Sequence, residues 1–253
     1  MKLIFLGTGT SHGIPMIGCD CAVCRSSDPR DKRSRPSVVV QYGGRTVLID
    51  TTPELRLQCL ACNVEHVDAV LYTHHHADHV AGLDDLRRFN VSGQGPLPVY
   101  AARDTLDRLT VMFDYAFQHD PDYPSAKPAL QPRLIDGPWD LYGQRVEPIP
   151  LLHGELPVLG FRLGGLAYCT DCSRIPDASW KLLAGLDVLV LDGLRKRPHP
   201  THFNLDQAVE AAGRIGAKQT YFTHIAHELG HAETNANLPS NMALAYDGQV
   251  VEL

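Results

Sequence analysis

Residues 69–79 read Ala69-Val70-Leu71-Tyr72-Thr73-His74-His75-His76-Ala77-Asp78-His79. An apolar run bounded by polar residues predicts a buried strand, with the histidines and aspartate on the loop at its carboxyl end. Side chains two apart on extended chain point to one side, so His74 and His76 can grip one ion while His75 turns away. Asp78 and His79 follow on the next turn, displaced toward a second ion nearby. Four histidines and one aspartate in six residues make a poor core, because imidazole and carboxylate are costly to bury without partners.

The length of 253 residues suits one layered α/β domain covering 1–253. A chain 44% hydrophobic and 21% charged has the composition of a soluble globular protein. Net charge −6 and a pI near 6.1 give no general basic face for nucleic acid or an anionic membrane. No apolar run is long enough to span a bilayer, and the run from Met1 to Leu6 breaks into Gly7 and Thr8 too early for a secretory signal. A cytoplasmic location is therefore expected. Three of the seven cysteines fall in Cys19-Asp20-Cys21-Ala22-Val23-Cys24. In a reducing compartment such a cluster predicts metal, and three thiolates can share one tetrahedral zinc if a fourth ligand comes from elsewhere; free surface thiols are the alternative.

Outward from the central stretch, strands are expected at 2–6, 37–42, 45–50, 98–100, 146–152, 159–163, 166–169, 187–192 and 220–224. Gly43-Gly44 and Gly164-Gly165 mark hairpin turns, and Asp247-Gly248 marks a third between terminal strands in 242–253. Helices are expected at 52–62, 80–90, 105–117 and 204–215, the last with Asn204 and Gln207 as a capping box. Residues 120–138, with five prolines, read as irregular, either a flap over the site or a passive loop. Cys59 and Cys62 fall at i, i+3 on a helix and read as packing. Gly7-Thr8-Gly9 has no third glycine at nucleotide-fold spacing and no following helix, so it reads as a tight loop and not a nucleotide cradle. His12, His66, His119 and His231 have no partner motif and read as surface or capping residues. Several predicted strands end in His74, His153, Asp171 or His224, and a common sheet edge would bring these together.

These residues identify the chain as resembling the metallo-β-lactamase-fold hydrolases over nearly its full length. His74, His76, Asp78 and His79 match the first motif, His153 the second, Asp171 the third and His224 the last. The resemblance implies a four-layer αββα sandwich with a dinuclear site: one ion on His74, His76 and His153, the other on Asp78, His79 and His224, with Asp171 bridging. Within the superfamily the chain looks most like the phosphonate-operon phosphodiesterases that open 5-phosphoribosyl 1,2-cyclic phosphate. Leu6-Gly7-Thr8-Gly9-Thr10, the cysteine loop and Thr223-His224-Ile225-Ala226-His227 carry this likeness. It implies a structural zinc on Cys19, Cys21, Cys24 and His227, and a substrate-facing role for His202.

The activity implied is hydrolysis of a small anionic phosphodiester by hydroxide generated between two divalent cations, zinc or manganese. Asp78 would assist the nucleophile beside ligating, and His202 would stabilise charge or protonate the leaving group. No membrane or nucleic-acid partner is expected, and a homodimer is compatible with the reading. Alternatives are a thioester, lactone or nucleic-acid-end hydrolase on the same site, or a zinc-binding accessory protein without turnover. Against a tRNA 3′-end nuclease stands Asp192-Gly193-Leu194-Arg195 where His-Glu-Ala-Thr is usual, together with the lack of a long basic arm.

Overall fold

The computed structural model describes residues 1–90, 95–118 and 126–253. In chain order the strands are β1 (Lys2–Gly7), β2 (Ser37–Tyr42), β3 (Arg45–Ile49), β4 (Ala69–Leu71), β5 (Leu97–Ala101), β6 (Leu130–Leu134), β7 (Trp139–Leu141), β8 (Gln144–His153), β9 (Leu156–Leu163), β10 (Leu166–Cys169), β11 (Val188–Asp192), β12 (Gln219–Thr223), β13 (Met242–Leu244) and β14 (Val250–Glu252). They form two seven-stranded mixed sheets, ordered β14-β1-β2-β3-β4-β5-β6 and β13-β12-β11-β10-β9-β8-β7. The expected αββα sandwich is the observed one.

The apolar strands are almost unbroken because both faces of each sheet are covered. Leu3, Phe5, Val38, Val40, Val47 and Ile49 meet Phe161, Leu163, Tyr168, Val188 and Val190 between the sheets. The alternate residues Ile4, Leu6, Val39 and Leu48 pack outward under Leu55, Cys59, Leu83 and Leu106, and Leu189, Leu191 and Phe222 pack under Ala208, Ala211 and Ala212. The helix Leu205–Ile215 opens with the expected Asn204–Gln207 capping box and closes at Gly216 in the left-handed region. Among the described residues no helix is long and apolar enough to cross a membrane.

Several boundaries differ from expectation for identifiable reasons. The helix expected at 80–90 is three short turns, Ala77–Val80, Leu83–Leu86 and Arg87–Asn90. The break falls where Gly82 donates to Thr51 O at 3.0 Å; a Cβ there would lie 1.9 Å from Thr52 O. The helix expected at 52–62 begins at Leu55, and the one at 105–117 divides at Phe113. Residues 119–125, including His119 and the start of the proline-rich segment, lie outside the described residues. Within the rest of that segment 130–134 is β6, not irregular chain; it is a sheet edge, where Pro132 leaves no interior ladder bond unmade. The short strand β7 joins β8 through Tyr142 and Gly143, both with positive φ. The terminal strands do not form a hairpin. β13 ends one sheet and β14 the other, so Asp247 sits at a crossover, where its carboxylate accepts from Thr8 Oγ1 and from Ser34 N and Oγ.

The two glycines Gly82 and Gly213 should respond in opposite directions to alanine. Gly82→Ala forces the 51–52 backbone away and is expected to lower stability by about 2–4 kcal/mol. Gly213→Ala, on a helix with nothing within 4 Å of the new methyl, should raise it by about 0.5–1 kcal/mol. Urea denaturation of both variants checks the pair.

Candidate metal centre

The carboxyl ends of β3 and β4 in one sheet and of β8, β10, β11 and β12 in the other open on the same edge. There the sequence-predicted residues converge. His74, His76, His153 and Asp171 each place a ligand atom within 4.8 Å of the others, and Asp78, His79 and His224 form an adjoining group. Around the Asp171 carboxylate stand Nε2 of His79 at 3.1 Å, His224 at 3.4 Å, His74 and His153 at 3.9 Å and His202 at 4.0 Å. Asp78 Oδ2 lies 3.5 Å from Nε2 of both His79 and His224.

The donor set fits divalent cations. Two atoms each about 2.05 Å from one tetrahedral ion lie about 3.4 Å apart, and the separations in this set run from 3.1 to 4.0 Å. Nε2 of His74, His79 and His224 is buried without a hydrogen-bond partner, an arrangement costly unless a ligand takes the lone pair.

The protein fixes which nitrogen faces inward. His79 Nδ1 lies 2.8 Å from Asp50 Oδ2, His153 Nδ1 2.6 Å from Thr201 O, and His202 Nδ1 2.7 Å from Asp192 Oδ2. His74 Nδ1 lies 3.0 Å from Thr73 Oγ1, whose hydroxyl donates onward to Asp50 at 2.8 Å. With these Nδ1 atoms held outward, each Nε2 is the ring nitrogen that faces the centre. Asp50 and Asp192 are the site residues that sequence reading passes over. Each closes an apolar run, the same signal that marks Asp171.

Burial would protonate the carboxylates and deprotonate the imidazoles, yet charge pairing reverses this at the centre. Against burial, His79 and His224 hold Asp78 well below the usual carboxylate range, and His224, His79 and His74 do the same for Asp171. Against burial, Asp171, Asp78 and Asp50 hold His79 well above the ordinary imidazole range, and Asp171 and Asp78 lift His224 to about 9. Burial wins at His74, His76 and His153, which are pushed down toward the neutral ligand form. Asp50, Asp171 and His224 have φ of 65°, 51° and 59°. Left-handed backbone at these non-glycine residues stores about 1 kcal/mol each and turns the side chains into the site.

The cysteine loop builds a second donor group. Cys19, Cys21 and Cys24 Sγ lie 3.1, 3.5 and 3.7 Å from His227 Nδ1. Sulfur and nitrogen ligands on one tetrahedral zinc lie about 3.6 Å apart, so these four also fit an ion. Cys169 and Cys172 are not in any such group among the described residues. Both are buried beside the outer helices, and burial pushes the Cys169 thiol up to about 12. Cys59 is likewise core, with Cys62 packed against it. His12 and His66 are exposed, but His231, expected as a surface or capping residue, is buried at the first position of the helix His231–Asn235, with Nε2 2.9 Å from Asn235 Nδ2. The glycines of Gly7-Thr8-Gly9 serve close packing, since a Cβ would lie 2.0 Å from Arg35 O at Gly7 and 2.8 Å from Arg33 O at Gly9.

The family described as the β-lactamase superfamily domain matches residues 45–225. The chain belongs to the metallo-β-lactamase superfamily. Within it, the crystal structure of a diphosphatase from the PhnP family shares 48% sequence identity over 100% of this chain and 96% of that one, with a TM-score of 0.93. An octanoyltransferase of Porphyromonas gingivalis is 38% identical over 98% of this chain; the match covers 51% of that protein, so the superfamily chain spans about half its length. Ribonuclease Z of a Mycobacterium species is 27% identical over 88% of each sequence.

Asp50 is outside the donor groups, yet it orients His79 and, through Thr73, His74. Asp50→Asn is expected to weaken divalent-metal affinity at the histidine cluster about 10- to 100-fold. Competition with a chromogenic chelator measures this, and the Cys3His group serves as the internal control.

Proposed function

We propose that the chain is a dinuclear metal-dependent phosphodiesterase acting on a small cyclic phosphodiester such as 5-phosphoribosyl 1,2-cyclic phosphate. The observation that carries this reading is the paired donor set around Asp171, with a hydrogen-bonded His202–Asp192 couple at its margin. His74, His76 and His153 would hold one cation and Asp78, His79 and His224 the other, with Asp171 shared. Zinc or manganese suits these ligands, and soft thiolates favour zinc on Cys19, Cys21, Cys24 and His227. Two divalent cations bound there would supply a nucleophile at neutral pH and polarise the phosphoryl oxygens.

The remaining work falls to the chain. Asp192 Oδ2, 2.7 Å from His202 Nδ1, fixes the orientation of the ring. Nε2 then faces the centre, where it can stabilise a phosphoryl oxygen or give a proton to a leaving alkoxide. Asp78, beside its ligand role, is placed to orient the nucleophile. A cavity of about 200 Å3 adjoins His202 and is lined by His12, Arg195, Arg197 and His199. Arg195 and Arg197 outweigh Glu228, which pairs with Arg197, and this net positive lining favours an anionic substrate, while the cavity's size favours a small molecule over a nucleic acid. Three available thiols suit a reducing compartment such as the cytoplasm.

A second reading, hydrolysis of an acyl thioester, draws on the 38% identity to an octanoyltransferase. A panel of bis-p-nitrophenyl phosphate, 5-phosphoribosyl 1,2-cyclic phosphate, octanoyl thioester and a short RNA separates the readings. The expected result is turnover of the phosphodiesters, lost in His76→Ala, with kcat reduced about 10²- to 10⁴-fold in His202→Asn at unchanged metal content. Turnover of the thioester alone would establish the second reading, and turnover of none would leave a binding protein.

A further inference from the structure

The Cys3His group and the cavity beside His202 share residues. One cavity wall is Ala226, His227 and Glu228, and the facing wall comes from residues 10–16. That facing wall runs directly into the cysteine loop. Met16 O accepts from Cys19 N at 3.1 Å, and Met16 N donates to Cys24 Sγ at 3.4 Å. Next to the cavity lining the two stretches are joined by backbone bonds, Thr10 N to Ile225 O at 3.0 Å and Ile225 N to Thr8 O at 2.9 Å. Two side-chain links add to these: Arg33, whose backbone pairs with Ile14 and whose Nη2 donates to Leu229 O at 2.9 Å, and the convergence of three sulfurs on His227 Nδ1. Hydrogen bonds to sulfur are weak, so a cation at the middle of these four donors would be the strong tie between the cysteine loop and His227. The His227 wall in turn carries the strip after β11, since Ala226 N donates to Leu194 O at 2.8 Å and Glu228 pairs with Arg197 at 2.6 Å.

We propose that metal binding at Cys19, Cys21, Cys24 and His227 sets the width of the substrate cavity. These four are positioning residues for the substrate as well as a brace for the fold. The inference rests on the phosphodiesterase reading only for its kinetic probe.

The test compares zinc-loaded wild type with Cys21→Ser and with Cys21→His, which keeps four donors. Elemental analysis should show one zinc fewer in Cys21→Ser and none lost in Cys21→His. Hydrogen–deuterium exchange should then quicken about tenfold at residues 10–16 and 226–228 in Cys21→Ser, with residues 74–79 unchanged. For 5-phosphoribosyl 1,2-cyclic phosphate, KM should rise about tenfold and by more than kcat falls, and Cys21→His should recover the wild-type KM. Exchange that stays slow at 10–16 after zinc is lost would overturn the proposal. So would acceleration spread evenly over the chain, or an unchanged KM. Should Cys21→Ser not fold, Cys19→Asp, with a weaker fourth ligand, gives the same comparison. If wild type cleaves no phosphodiester, the exchange readout still decides, so failure of the functional reading is distinct from failure of this one.

Discussion

The Asp171 carboxylate is the point on which both sheets depend at the functional edge. It is buried at the end of β10, in the second sheet, and faces imidazoles delivered from the first sheet by His74 and His79 and from its own by His153 and His224. An isolated carboxylate in that position would be neutralised or expelled. Surrounded by imidazole nitrogens, it is placed to serve as the shared anion of the proposed metal centre, at the edge where the two sheets meet.

Holding that spacing requires groups that never touch the centre. Asp50, Thr73, Thr201 and Asp192 take the outward ring nitrogens, so imidazole orientation is set by strand-end chemistry in both sheets. The left-handed backbone at Asp50, Asp171 and His224 shows where the chain accepts local cost to aim a side chain. Such strain persists because the strands behind it are buried on both faces and leave little freedom to relax.

Most strands were legible because their apolar runs are short and punctuated, and the ligands were legible because they close those runs. Asp50 and Asp192 close runs too, but an aspartate at a strand end also reads as turn punctuation, and nothing local says that a histidine will lie against it. The helix at 80–90 failed for a similar reason. Its period is helical, and only the approach of Gly82 to the Thr51–Thr52 backbone breaks it. β6 was hidden by Pro132, which an edge strand tolerates, and the β13–β14 crossover by a turn signal that suits a hairpin equally well. In each case the deciding contact is distant in sequence.

The central claim is that this edge holds a pair of ions centred on Asp171, with a third on the cysteines. Anomalous scattering from zinc-soaked crystals, recorded on both sides of the zinc absorption edge, tests it directly. Two peaks about 3.5–4 Å apart flanking Asp171, and one among Cys19, Cys21, Cys24 and His227, are the result expected. A single peak on the cysteines, with none at Asp171 under saturating zinc, would contradict the account.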